Sequence, residues 1–225
     1  MAIIHHTTLK PTKLELLTDW LPTRPWYVGD GAPELVKAGG FRLDDPEGEV
    51  GIEFMVAVDE SGPEPVAYHV PLTYRGAPLP GAEHALVGTM EHGVLGPRWA
   101  YDGIHDPVLY GELLALVEGR AQAMAQSITD TPDHEITRSY TGKGFPATPL
   151  VPTPDPTPTD TPAGTELPAP DGSTLRINRV LRPDPSGVPP LPPQEAAGHV
   201  AGAWQTPEGP RAHALFAVLL AAPGN

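Results

Sequence analysis

The chain has 225 residues, with 14 Lys+Arg against 28 Asp+Glu and no cysteine. A net charge of −14 without any Lys/Arg cluster removes the phosphate-neutralising surface of a nucleic-acid binder and disfavours an anionic membrane surface. The lack of cysteine excludes disulfides, thiolate nucleophiles and Cys-based zinc or iron–sulfur sites.

The opening MAIIHHTTLKPTK has no charged start followed by an apolar run, so no signal peptide is expected and a cytoplasmic location is the reading. The longest apolar run, 214–222, is too short to span a bilayer. Thr12-Lys13-Leu14-Glu15 fits a capping box, and Leu14, Leu17 and Leu21 follow at helical spacing. A short N-terminal helix ends at Pro22. LPTRPWYVGDG then reads as a loop that carries Trp26 and Tyr27.

Alternation of Val50, Ile52, Phe54, Val56 and Val58 predicts a strand with one strongly buried face. Val66 to Arg75 repeats the pattern, and Pro71 within it predicts an edge or a bulge. Strands over 84–90 and 94–101, joined by Glu91-His92-Gly93, complete an antiparallel meander taken in sequence order. Asp106-Pro107 is a compact helix start. Leu109, Leu113, Leu116 and Val117 form its buried stripe, and Gly119 ends it. One helix across an antiparallel sheet, with a second at the N-terminus, is an α+β fold.

From 145 to 170 the pattern dissolves into FPATPLVPTPDPTPTDTPAGTELPAP, which reads as an extended, polyproline-like linker. Short strands over 174–181 and an apolar hairpin over 198–221 are expected to join the first sheet. The division is therefore 1–142 as the α+β domain, 143–172 as linker, and 173–225 as strands completing the same sheet.

No phosphate-binding loop, G-x-S-x-G motif, H-x-H pair or H-E-x-x-H motif is present, so no cofactor and no metal are expected. His105-Asp106-Pro107 lacks the spacing and the downstream Asn of a kinase catalytic loop. The densest polar and aromatic cluster, Arg98, Trp99, Tyr101, Asp102, His105 and Asp106, lies where the last meander strand meets the helix. With Trp26, Tyr27, Glu91 and His92 it supplies the candidate ligand- or partner-binding residues.

WLPTRPWYVGDG, with Trp20-Leu21 followed by Arg24-Pro25-Trp26-Tyr27-Val28-Gly29, resembles the start of actinobacterial maltokinases. VAYHVPLTYR and RWAYDGIHDPVLYGELLALV resemble the same N-terminal cap, so that the similarity runs from Leu14 to Glu118. The resemblance implies a curved antiparallel sheet of cystatin-like shape. In that family the cap precedes a kinase body that phosphorylates maltose with ATP, and nothing after Phe145 here reads as such a body. The implied function is a non-catalytic cap-like module acting in trans on a sugar kinase or another enzyme of maltose, trehalose or α-glucan metabolism. A second reading is an oligosaccharide binder that uses the concave sheet face and the loop aromatics. A third is a small enzyme built on the cystatin-like cone, with Glu91, His92, His105 and Asp106 as its site.

Overall fold

Capping and alternation place most of the elements. The computed structural model describes residues 9–126, 131–145, 157–183, 191–207 and 209–222. Strand β1 (Leu9–Lys10) leads into helix α1 (Lys13–Trp20). The Thr12 hydroxyl accepts from the Glu15 amide at 3.3 Å, and the Glu15 carboxylate accepts from the Thr12 amide at 2.7 Å. Two otherwise orphaned amides are satisfied in this way, which fixes the helix start. Then come β2 (Leu35–Asp44), β3 (Gly51–Asp59), β4 (Val66–Arg75), β5 (Leu86–His92) and β6 (Gly96–Asp102). Helix α2 (Pro107–Glu118) starts on the Asp106 side chain, which accepts from the Val108 amide, and ends on Gly119 at φ 83°. The remaining strands are β7 (Met124–Ala125), β8 (Thr137–Tyr140), β9 (Thr159–Thr161), β10 (Gly164–Pro168) and β11 (Thr174–Ile177). They end with β12 (Val180–Leu181), β13 (Ala196–Trp204) and β14 (Ala212–Leu220).

These strands form one open antiparallel sheet in the order β1-β5-β6-β4-β3-β2-β13-β14-β11-β10-β9. Strand β12 pairs with β4, β7 with β2 and β8 with β13. An antiparallel sheet with two helices is the α+β class at that level of description. Among the described residues no helix is long and apolar enough to cross a membrane.

Several differences from the sequence reading have physical causes. β4 is an interior strand, not an edge: β3 runs along one side of it, and β6 and β12 share the other. Its Pro71, which has no N–H to donate, falls between the residues paired to β12 (67–68) and those paired to β6 (72–75). The meander is not in sequence order, because β6 and not β5 pairs with β4. The segment over 76–85 carries the chain outward before β6 returns. β2 carries no clean alternation, yet it pairs with β3 along nearly its whole length, with a register shift between Lys37 and Gly39. Finally, the expected linker holds β9 and β10 over 159–168, while its stretch 146–156 lies outside the described residues.

β3 is buried on both faces, not on one. Ile52, Phe54, Val56 and Val58 join the larger core, with Leu109, Leu113, Leu116 and Val117 of α2 and Leu175, Ile177 and Phe216 of the C-terminal strands. Met55 faces the other way, into a smaller core. There Tyr68, Val70 and Leu72 of β4 meet Leu17 and Trp20 of α1, with Leu21 and Trp26 after it. The sheet is thus sandwiched between a local aromatic layer and a second layer assembled from the rest of the chain.

Candidate functional site

The polar joint at the end of β6 is built on two arginine–carboxylate pairs. Asp106 is fully buried. Its carboxylate caps α2 and also accepts from Arg75 Nε and Nη2, both at 2.7 Å. Asp102, also buried, accepts from Arg179 Nη2 at 2.9 Å on Oδ1 and 2.7 Å on Oδ2. Arg179 has 0% exposure. Its Nε donates to Thr165 Oγ1 at 2.7 Å, and its guanidinium carbon lies 5.0 Å from the centre of the Trp26 ring. The Arg179 carbonyl accepts from the His69 amide at 2.8 Å, so the arginine enters the protein beside the Pro71 gap in β4. A buried charge held by a carboxylate, a hydroxyl and an indole face joins both layers of the molecule.

The aromatic side is equally fixed. Trp26 packs edge-on to Trp20 at 5.8 Å, and Tyr27 stacks on Tyr68 at 5.5 Å. Tyr27 donates to the Gly31 carbonyl at 2.8 Å, and burial raises its phenol pKa above the ordinary value. Burial pushes the Tyr68 phenol up to about 12. On the opposite face His69 lies between Phe54 and Phe216, with Nδ1 3.1 Å from the Asn178 carbonyl. Since only a protonated nitrogen can donate to that carbonyl, Nδ1 carries the proton and Nε2 is the bare lone pair. Burial, with the Arg179 charge added, lowers the His69 pKa to about 3, so the ring is neutral.

A third buried carboxylate sits under α1. Glu53 receives Lys13 Nζ at 2.5 Å, the Tyr74 hydroxyl at 2.6 Å and Gln126 Nε2 at 3.0 Å. Burial opposes its ionisation, yet Lys13 and Lys37 outweigh that and bring its pKa below the ordinary range. Gly40, at φ 120°, leaves the room that Gln126 fills: a Cβ there would stand 1.9 Å from the Phe54 carbonyl oxygen. Beside this cluster an open cleft of about 400 Å³ is lined by Lys37, Gln126, His134 and Glu135 among others.

The structure brings some candidate residues together and separates others. Asp102, His105 and Asp106 share the joint, and Trp26 reaches it through Arg179. Tyr101 accepts from the Leu79 amide at 2.8 Å and anchors a small cluster with Ala82 and Ala85, against which Trp99 packs. Arg98 donates to the neighbouring Pro97 carbonyl at 2.9 Å. Glu91 and His92 stand at the far end of β5, paired with Lys10 and Leu9. His92 Nδ1 accepts there from the amides of Val94 and Leu95, at 3.3 and 3.1 Å, and so shapes the hairpin tip. Among the described residues no three His, Asp or Glu side chains are grouped so as to hold a metal.

Arg179 was missed as a candidate, although its signal lies in the sequence. Leu175, Ile177, Arg179 and Leu181 alternate with period two, and all four are buried. Arg179 falls in the bend between β11 and β12, yet a lone cation in the buried phase of an apolar run requires a partner carboxylate. Thr165 carried no comparable mark.

Residues 20–106 match the family model of the maltokinase N-terminal cap domain. The match begins at Trp20, which packs on Trp26, and ends at Asp106, the cap of α2. It covers less than half of the chain. A comparison with curated proteins gave no match.

Proposed function

We propose, from the premise that residues 20–106 are of the maltokinase N-terminal cap type, that this chain is a non-catalytic cap module acting in trans. The partner in this reading is a sugar kinase or another enzyme of maltose, trehalose or α-glucan metabolism. The cystatin-like curvature implied by the resemblance belongs to the same reading. The observation that carries it is the family match itself. The chemistry of the joint supports the non-catalytic part. Asp106 is held by the two nitrogens of Arg75 and caps α2, while both oxygens of Asp102 accept from Arg179 Nη2 and one also caps a turn, which leaves neither as a ready acid, base or nucleophile.

The oligosaccharide-binding alternative draws no support from the loop aromatics, because the Trp26 indole is buried in the smaller core and the Tyr27 ring packs against it. The test is affinity purification of the tagged full chain from its native host, followed by titration of the recovered enzyme with purified protein. Recovery of a sugar kinase or α-glucan enzyme whose kcat or KM responds to added chain is the expected result. Recovery of the chain alone, or of an enzyme indifferent to it, overturns the reading.

A further inference from the structure

The joint contains one contact that neither the capping nor the arginine pairs explain. His84, in the short 3-10 turn Glu83–Ala85, and His105, in the turn Gly103–His105, meet edge to face with ring centres 4.7 Å apart. His84 Nε2 lies 3.1 Å from His105 Nδ1. Two imidazole nitrogens at that distance share a single proton, with one donating and the other offering its lone pair. The pair therefore tolerates one positive charge, on the donor, but not two.

We infer that His84 and His105 form a proton-operated latch, which holds the segment over 76–85 against the β6–α2 joint at neutral pH and releases it in acid. The latch is the side-chain bond that ties this segment to the turn before α2. Its other ties are the Leu79 amide to Tyr101 and the packing of Ala82 and Ala85 on the Tyr101 ring. Opening would uncover the Tyr101 ring.

The groups facing the pair set the direction. Burial lowers the His105 pKa, and the charges of His84 and Arg179 act in the same sense, while the carboxylates of Asp102 and Asp160 oppose them. Glu83 belongs to the turn that carries His84, where its carboxylate accepts from the Gly81 amide. A histidine held neutral when closed and free to protonate when open stabilises the closed form above the ordinary histidine range. That stabilisation is lost as pH falls below about 6.5.

Hydrogen exchange of the full chain at pH 8 and pH 5, corrected for intrinsic exchange, tests the latch. The amides of Leu79, Ala82 and Ala85 should lose protection as pH falls below roughly 6.5, by at most about tenfold per pH unit, while those of β3 and β4 hold. His84→Ala should leave the segment poorly protected at both pH values. His84→Gln should keep it protected at pH 8 and lose less protection at pH 5 than the wild type, because an amide can donate through nitrogen or, flipped, accept through oxygen, while burial of His105 remains. Flat wild-type protection overturns the latch, as does loss in step with β3 and β4. A His84→Gln variant as pH-sensitive as the wild type, or a His84→Ala variant as protected as the wild type at pH 8, does the same.

Discussion

The two layers on either side of β3 and β4 are built by opposite strategies. The smaller one is local: Leu17, Trp20, Leu21 and Trp26 lie within ten residues and fold back on Met55, Tyr68, Val70 and Leu72. The larger one is distributed, drawing on β2, β3, α2 and then on strands after residue 159. Sequence proximity makes the first layer cheap in chain entropy, whereas the second must close long loops before any contact rewards it. The polar groups follow the same division in part. Glu53, under the local layer, has its cations Lys13 and Lys37 and the Tyr74 hydroxyl within 40 residues and takes only Gln126 from 73 residues on, whereas Asp102 waits for its cation, Arg179, 77 residues away.

The sharpest way to break this arrangement is Arg179→Met. It leaves Asp102 buried without its cation, and the loss of unfolding free energy in urea should be about 3–5 kcal/mol. The double variant Arg179→Met/Asp102→Leu should recover most of that loss, which separates a stranded charge from a lost packing contact. A double variant as unstable as the single one would show that the guanidinium acts mainly by filling space.

A smaller effect should come from acid. His69 binds its proton only near pH 3 in the folded state but at about 6.5 in the unfolded chain. Its contribution is therefore complete above pH 6.5 and is lost as pH falls toward 3, with an upper limit on the order of a few kcal/mol. Urea midpoints between pH 7 and pH 4 should decline in the wild type and decline less in His69→Phe, which keeps the ring stack with Phe54 and Phe216. Parallel slopes in the two proteins would remove His69 from the acid response.

The smallest test stays in the local layer. Thr12→Ala removes one side of the α1 capping box and should cost about 1 kcal/mol. Near-ultraviolet dichroism from the Trp20–Trp26 pair would show whether that loss remains confined to the local layer.

Legibility from sequence divides along the same line. α1 and α2 could be read because their caps are local: Thr12 with Glu15, Asp106 with Pro107, and Gly119 at positive φ. β3, β4 and the hairpin strands could be read because alternation is local as well. β2 was hidden because Gly39 and Gly40 interrupt its pattern. The reason for Gly40 is the approach of the Phe54 carbonyl, which only the folded sheet reveals. β9 and β10 were hidden by surrounding prolines, since composition outweighed the short run Thr-Glu-Leu. At the joint, the residue types were visible but their partners were not. Nothing near Asp102 in the chain points to Arg179, and nothing near His84 points to His105.

The position of β14 bears on synthesis of the protein. It lies inside the sheet, between β13 and β11, and its residues Ala214, Phe216, Ala217 and Leu219 complete the larger core. The leucine stripe of α2 leaves the ribosome about a hundred residues before this strand does, a delay of roughly 5–20 s at ordinary elongation rates. During that interval the buried residues of the local layer, which lie within 17–72, are all available, while Leu109, Leu113 and Leu116 have no completed core to enter. The nascent chain therefore passes through a half-built stage with an oily helix on display, and in the cell its yield should depend on whatever shields such helices until the last strand arrives.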